Sequence, residues 1–396
     1  MPWSKRSVMD IRKEFVERVL AHERSKSSLC REYGISRPTG DKWIARYLSG
    51  EPLSDRSHSH KAPGKTPEDI EQKVVEYRKL YPAIGATKLR EIMCKEGIAD
   101  IPCARTVNNI LKRNNLISKE ASLAATPYIR FEKSYPNEMW QADYKGHFEL
   151  LNKERCHPLN IIDDYSRFNI CCRAQKSETL GEIKPVLTEL FRDYGMPFSF
   201  LCDNGNPWGT SQSTGFTGFE VWMMELGILV LHGRPLHPQT QGKDESFNRS
   251  FTRECLNGHT FSDMSSAQQA FSDYRDFYNN KRPHHALNLE TPAVRYSASQ
   301  RKMPEEITEW EYGPEYKLYK VKDTGYITIG GQGYFLSEGF RGKTVAVRES
   351  HIPGQLTICF RQFRIARLDP DKRVFTQRRA YLIDGDPRDS DSESVN

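Results

Sequence analysis

The sequence predicts a multidomain chain: all-α modules at the N-terminus, a mixed α/β domain in the centre and a small β-barrel near the C-terminus. Three observations carry that reading. At 396 residues the chain exceeds what one compact core serves and suits about two to four domains. The spacing of its apolar residues changes along the chain, from helical periodicity to strands interspersed with helices, then to short strands between glycines. Its charge is also unevenly spread. Residues 1–130 hold 25 Lys and Arg against 16 Asp and Glu, a net of +9, so the rest must sum to −3 for the total of +6. A basic first third on a near-neutral body suits a nucleic-acid-binding arm joined to something else.

Composition excludes several classes. A hydrophobic share of 37% and a charged share of 28% describe a chain that buries real cores, not a disordered one. No apolar run approaches the roughly 18 residues a membrane helix needs, so no membrane role is expected. The opening stretch, MPWSKRSVMDIRKEF, has no apolar segment behind its charges, so a cytoplasmic protein without a secretory signal is expected. Nine cysteines, none spaced C-x-x-C, point to reduced thiols rather than a disulfide frame or a cysteine-rich zinc site. His232, His237, His284 and His285 have no zinc-ligand spacing.

The first module, residues 1–50, shows three short helical patterns. Ile11, Phe15, Val19 and Leu20 recur at helical spacing, and Ser27 to Tyr33 follows with Leu29 and Cys30 inward. After Gly34, Ser36 can cap a third helix that carries Arg37, Thr39, Lys42 and Arg46 around an inward Trp43. A helix, a glycine turn and a basic second helix form the helix-turn-helix pattern, whose second helix enters a major groove. The stretch Gly50 to Thr66 reads as a linker. A second helical module, 66–117, repeats the idea: helices are expected over Pro67–Leu80, Gly85–Cys94 and Ala104–Asn115, with Thr106, Asn108, Lys112 and Arg113 outward on the last. Two tethered DNA-binding modules multiply their affinities.

The central domain, 130–296, changes character. Trp140–Leu150 alternates as a strand, and Leu159–Asp163 and Phe168–Arg173 are apolar strand-like runs. A helix over Thr179–Tyr194, a strand over Phe198–Cys202, a helix over Phe219–Leu226, a strand over Ile228–Leu231 and a long helix from about Gln239 complete it. Such an order gives a mixed sheet with helices on both faces. Residues 311–370 hold five short strands, Gly325–Ile329, Tyr334–Phe335, Lys343–Arg348, Gln355–Phe360 and Phe363–Leu368, which suit a small barrel. The acidic tail, 384–396, is expected to be disordered.

Three acids of the central domain could carry chemistry. Asp143 sits mid-strand in WQADYKG, Asp203 ends a strand in LCDNG, and Glu245 lies early in the helix following HPQTQG. Open α/β sheets place sites at the C-terminal ends of their strands. Convergent carboxylates repel one another unless cations lie between them, and hard oxygen ligands select Mg²⁺ or Mn²⁺. Two such ions, roughly 4 Å apart, activate a nucleophile and stabilise the leaving oxygen of a phosphodiester. Asp244 adjoins Glu245, but a helix turns about 100° per residue, so the two cannot both face the same ions.

The strings NEMWQADYKG, IIDDYSRF, DNGNPW, HPQTQGKDE and YNNKRPHHALNLETPA together resemble the retroviral-integrase-type core of bacterial insertion-sequence transposases, of the branch encoded in a single reading frame. The likeness runs over roughly residues 5–370. It implies an RNase H-like core, an SH3-like C-terminal barrel, and a DDE triad of Asp143, Asp203 and Glu245 holding two Mg²⁺ or Mn²⁺ ions. Asp164, Ser166 and Arg167 become turn and support residues; Lys243, Asn248 and Arg249, on the Glu245 helix, become DNA contacts. The sequence departs from the pattern at Gln241, at Ser246 and in a Gly/Ser/Thr-rich insert at 209–218, so that 41 residues separate Asp203 from Glu245. The implied function is DNA transposition: binding of terminal inverted repeats and target duplex by a dimer or tetramer on the bacterial nucleoid, then strand cleavage and strand transfer. Two alternatives stand beside it, an inert domesticated repressor and an RNase H-like nuclease that cannot join strands.

Overall fold

The computed structural model describes residues 7–55, 66–117, 132–209, 215–233 and 242–383. The acidic tail and most of the first linker lie outside them. The chain divides into two units, Met1–Thr66 and Pro67–Asn396.

The first unit holds α1 (Val8–Leu20), α2 (Lys26–Glu32) and α3 (Arg37–Leu48). Ser36 caps α3 as expected, accepting from the Thr39 amide, and Gly34 turns the chain at φ +65°. Phe15, Val16, Leu29, Cys30 and Trp43 form the core. Gly40 belongs to that core, because a Cβ there would stand 2.8 Å from Cys30 Sγ and 3.1 Å from the Phe15 ring.

In the second unit α4 (Glu68–Leu80), α5 (Ala86–Lys95) and α6 (Ala104–Arg113) close around Val74, Leu89, Ile92, Val107 and Ile110. This bundle packs on the central domain, with Tyr81 stacked on Phe277 at 5.2 Å. The central domain opens with β1 (Met139–Tyr144), β2 (Phe148–Glu149), β3 (Arg155–Asp163) and β4 (Asn169–Gln175). The single alternating strand expected over 140–150 is broken at Gly146, whose φ of +85° turns the chain out of line with β1. Then come α7 (Leu180–Tyr194), β5 (Ser199–Cys202), α8 (Gly218–Glu225), β6 (Leu229–His232), α9 (Gly242–Phe251) and α10 (Met264–Asp276). Where one long helix was expected, α9 ends in a π-helical turn at Thr252–Leu256, and an Asp263–Ser266 capping box starts α10 afresh. The main sheet runs β4-β3-β1-β5-β6, with β3 antiparallel to both neighbours and β5 parallel to β1 and β6, the strand order of an RNase H-like core. Trp140, fully buried, anchors one face with its indole N–H on Asn137 Oδ1 at 2.9 Å.

The C-terminal region holds β7 (Lys317–Lys320), β8 (Tyr326–Ile329), β9 (Gln332–Phe335), β10 (Thr344–Glu349), β11 (Leu356–Phe360), β12 (Phe363–Asp369) and β13 (Val374–Leu382). All five expected strands are there, and β7 and β13 add two more. The expected barrel does not close. The strands form an open antiparallel sheet, β13-β12-β11-β10-β7, beside a β8-β9 hairpin. Its core takes in Phe216, Val221 and Met224 from the start and outer face of α8, so the central domain covers apolar surface that closure would otherwise have to bury. Ser337 fastens the seam, its Oγ donating to Phe216 O at 2.7 Å and accepting from Phe216 N at 2.8 Å. All nine cysteines are unpaired. No described helix is long and apolar enough to cross a membrane.

Candidate active site

Two parallel strands set the site. β1 and β5 pair with Gln141 opposite Leu201, so the same register, continued two residues, brings Asp143 beside Asp203 where both strands end. Asp143 is half-buried, and its carboxyl is pushed up to about 6, first by burial and then by the Asp203 charge. Asp203 lies exposed, with the Gly205 amide donating to Oδ1 at 2.9 Å. His232, ending β6, donates from Nδ1 to the Asp203 carbonyl at 2.7 Å and from Nε2 to Glu220 at 3.1 Å. Burial opposes protonation of this ring, but the Glu220 and Asp203 contacts outweigh it and raise its pKa.

The helix α9 closes the site from one side. Asp244, Phe247, Asn248 and Phe251 are its buried residues, spaced i, i+3, i+4 and i+7 as one helical face. Asn248 bridges two strands: its Nδ2 donates to Asp143 Oδ2 at 2.6 Å, while its Oδ1 accepts from Asn160 at 2.7 Å. Asn160 is the cross-strand partner of Asp143. Asp244 is 2% exposed with no hydrogen-bond partner on either oxygen among the described residues, and burial, then Asp143 and Asp164, raise its pKa well above its ordinary value. Glu245 stands at the rim, its side chain 66% exposed and 3.3 Å from Arg249. Asp143, Asp244, Glu245 and Asn248 line one cavity of about 360 Å³.

Among the described residues, no three His, Cys, Asp or Glu side chains are grouped closely enough to hold a metal ion. The donor chemistry nonetheless fits a hard cation. The Asp203 charge disfavours the Asp143 anion at the end of the adjacent strand, and a divalent ion held by oxygen ligands offsets that repulsion.

The remaining sequence-derived positions divide clearly. Asp163 accepts from the amides of Asn137 and Ser166, and Asp164 from the Lys133 amide and the side chains of Gln141 and Lys243. Arg167, at φ +63°, bonds the Asp164 carbonyl and reaches Glu132. Lys243 is therefore held inside against a fully buried carboxylate, and Asn248 is committed to Asp143, whereas Arg249 faces outward. On α3, Arg37 and Lys42 are exposed, Thr39 pairs with the Ser36 cap, and Arg46 turns back over Trp43 and bonds Ser54 O. On α6, Lys112 is exposed, Thr106 pairs with Cys103, and Asn108 lines a separate cavity beside α5. Sequence pattern missed Asn160 and the Glu220–His232 pair. The signal for Asn160 was its place in β3 opposite Asp143, legible only once the strands are paired.

Comparison with known proteins adds four matches: a helix-turn-helix domain over residues 11–61, an integrase core domain over 133–238, a second integrase core domain match over 226–292, and the IS481 family transposase C-terminal domain over 316–375. The chain is 26% identical over 270 residues to the insertion element IS476 uncharacterized 39.2 kDa protein of Xanthomonas euvesicatoria, covering 63% of this chain and 74% of that protein. It is 28% identical over 158 residues to the insertion element IS407 uncharacterized 31.7 kDa protein of Burkholderia multivorans, covering 40% of this chain and 54% of that one. Among solved structures it aligns with a simian T-cell lymphotropic virus intasome (17% identity, TM-score 0.34, 72% of this chain and 91% of that one) and with the HTLV-2 integrase catalytic core in complex with magnesium (17%, 0.30, 41% and 97%).

Proposed function

With a helix-turn-helix domain, an integrase core and an IS481-type transposase C-terminal domain in one chain, this protein resembles the bacterial insertion-sequence transposases, and from that premise we infer that it is a DNA transposase. It would bind the terminal inverted repeats of its element, cut a strand to leave a 3′-hydroxyl, and direct that hydroxyl at a target phosphodiester. The observation that carries this reading is the meeting of Asp143 and Asp203 at the ends of adjacent parallel strands, beneath the acidic first turn of α9.

Asp143, Asp203 and Glu245 would hold two Mg²⁺ or Mn²⁺ ions, which when bound supply nucleophile activation and stabilisation of the leaving oxygen. The protein's own groups do the positioning. Asn248 fixes one Asp143 oxygen and so aims the other into the cavity, while His232 ties down the main chain of Asp203. Asp244 turns into the core, 2% exposed, where burial pushes its pKa well up, whereas Glu245, one residue on, opens to solvent at the rim of the cavity. Exposed Arg37, Lys42, Lys112 and Arg249 would take DNA phosphates, and the C-terminal sheet would add protein or DNA contacts. Two ends must be held together, so the working form would be a dimer or tetramer in the cytoplasm.

The test is a strand-transfer reaction containing the element's end, a target plasmid and Mg²⁺ or Mn²⁺. Joined product with the native chain and none with Asp203→Asn is expected. Cutting without joining would make the protein a nuclease, and binding with neither reaction would make it a repressor.

A further inference from the structure

We propose that the cavity between α5, α6 and the turn after α9 is a seat for a backbone phosphate of duplex DNA, with Lys88 as its central cation. The cavity, of about 470 Å³, is lined by Thr87, Lys88, Asn108, Arg253 and His285, among others. Lys88 is half-buried, and no described group forms a hydrogen bond or ion pair with its ammonium. The charges that act on it are mostly of its own sign. Arg282 and Arg253 repel it, and among the described residues the carboxylate that acts on it, Glu254, is committed to Arg282 at 2.6 and 2.9 Å and to Arg253 at 2.7 Å. Burial and Arg282 accordingly push Lys88 down to about 8. A desolvated cation without a counter-charge costs stability, and such costs are kept where an anion binds.

The lining chooses the anion. Lys88 and Arg253 are pure donors, Asn108 adds an amide, and α5 opens at Gly85 with no side-chain cap, leaving first-turn N–H groups for an acceptor. Many donors around a compact anion suit a phosphate. Position favours one in DNA. Arg253 follows Glu245 by eight residues along nearly continuous helix, about 12 Å, so duplex reaching the active site would pass this cavity within about four base pairs.

This inference rests on the transposase reading, and its test separates the two. Binding of a short duplex of arbitrary sequence is measured by fluorescence anisotropy across a salt series for the native chain, Lys88→Met and Lys88→Arg. We expect Lys88→Met to weaken binding and to reduce the slope of log K against log salt by about 1, and Lys88→Arg to keep the native slope. Lys88→Met should also melt at or above the native temperature, because it removes an uncompensated charge. A native slope in Lys88→Met, or a lower melting temperature, would overturn the proposal by making Lys88 structural or solvated. So would stabilisation of the native chain by inorganic phosphate, lost in Lys88→Met, with no change in duplex binding, since that describes a free-anion site. If the native chain bound no duplex, the transposase reading would fall, and this site with it.

Discussion

Replacing Asn248 with alanine separates positioning of the active-site acid from simple packing. Asn248 Nδ2 donates to Asp143 Oδ2 at 2.6 Å, and this bond favours the anionic form of Asp143 against burial and the Asp203 charge, which together hold its pKa near 6. A hydrogen bond to a charged group contributes about 1.5–3 kcal/mol, and one pKa unit corresponds to about 1.4 kcal/mol. Losing it should therefore raise the Asp143 pKa by about 1 to 2 units, toward 7 or 8. Since the anion is the form that can hold a cation, the acid limb of the rate profile should move up by the same amount. At pH 7 about nine-tenths of Asp143 is ionised at a pKa of 6, and about a quarter at 7.5, so the rate should fall about fourfold there and recover above pH 8.5. The assay is single-turnover strand transfer from pH 5.5 to 9 at one fixed divalent-ion concentration below saturation, where proton and cation compete for Asp143. A uniform, pH-independent loss would refute the reasoning and leave Asn248 as packing only.

Further outcomes follow from other contacts. Arg282→Met takes from Glu254, which is 4% exposed, the closer of two guanidinium partners and leaves it Arg253, and should cost about 1.5–3 kcal/mol in urea unfolding, with Glu254→Gln restoring part of the loss in the double variant. Trp43→Ala removes the centre of the first unit, under Arg12, Lys42 and Arg46, and should cost about 3–5 kcal/mol, read as early melting of helix signal in the isolated 1–66 segment. Lys88 has a folded pKa of about 8, below its unfolded value of 10.5, so the unfolded chain binds more protons between them and stability must rise with pH across that window. The rise should be at most about 3 kcal/mol; it should be missing from the Lys88→Met profile and so remain in the native-minus-variant difference.

What the sequence disclosed and what it withheld follow from the range of the interactions. Ser36 capping α3, inward Trp43 and the order of strands and helices are local, set by spacing and by caps within a few residues. Asp143 and Asp203 were legible as strand acids because alternation and strand ends are also local. The break at Gly146 and the start of α10 at Asp263 depended on single residues inside longer patterns, and were read through. Closure of the β-domain was not legible, because it turns on whether β7 and β13 find each other or instead share apolar surface with α8. The orientation of α9 could have been read: Asp244, Phe247, Asn248 and Phe251 already form an inward stripe, which places Asn248 on Asp143 and Glu245 at the rim. Lys88 gave no signal, since Arg253 and Arg282 reach it from the central domain, more than 160 residues further along the chain.

In the proposed reaction Asp143, Asp203 and Glu245 act together while Asp244 stays buried beside them. That arrangement is tested most directly by strand transfer from a pre-cut end, whose 3′-hydroxyl is already exposed, with each acid changed in turn to its amide. Asp143→Asn, Asp203→Asn and Glu245→Gln should each lose joining by about 10³-fold or more, equivalent to about 4 kcal/mol of transition-state stabilisation, while retaining duplex binding. Asp244→Asn should join strands at close to the native rate, because an amide of the same shape replaces a side chain that faces the core, where burial disfavours its charge. Inactive Asp244→Asn with active Glu245→Gln would contradict that assignment and make the buried acid of α9 the third ligand.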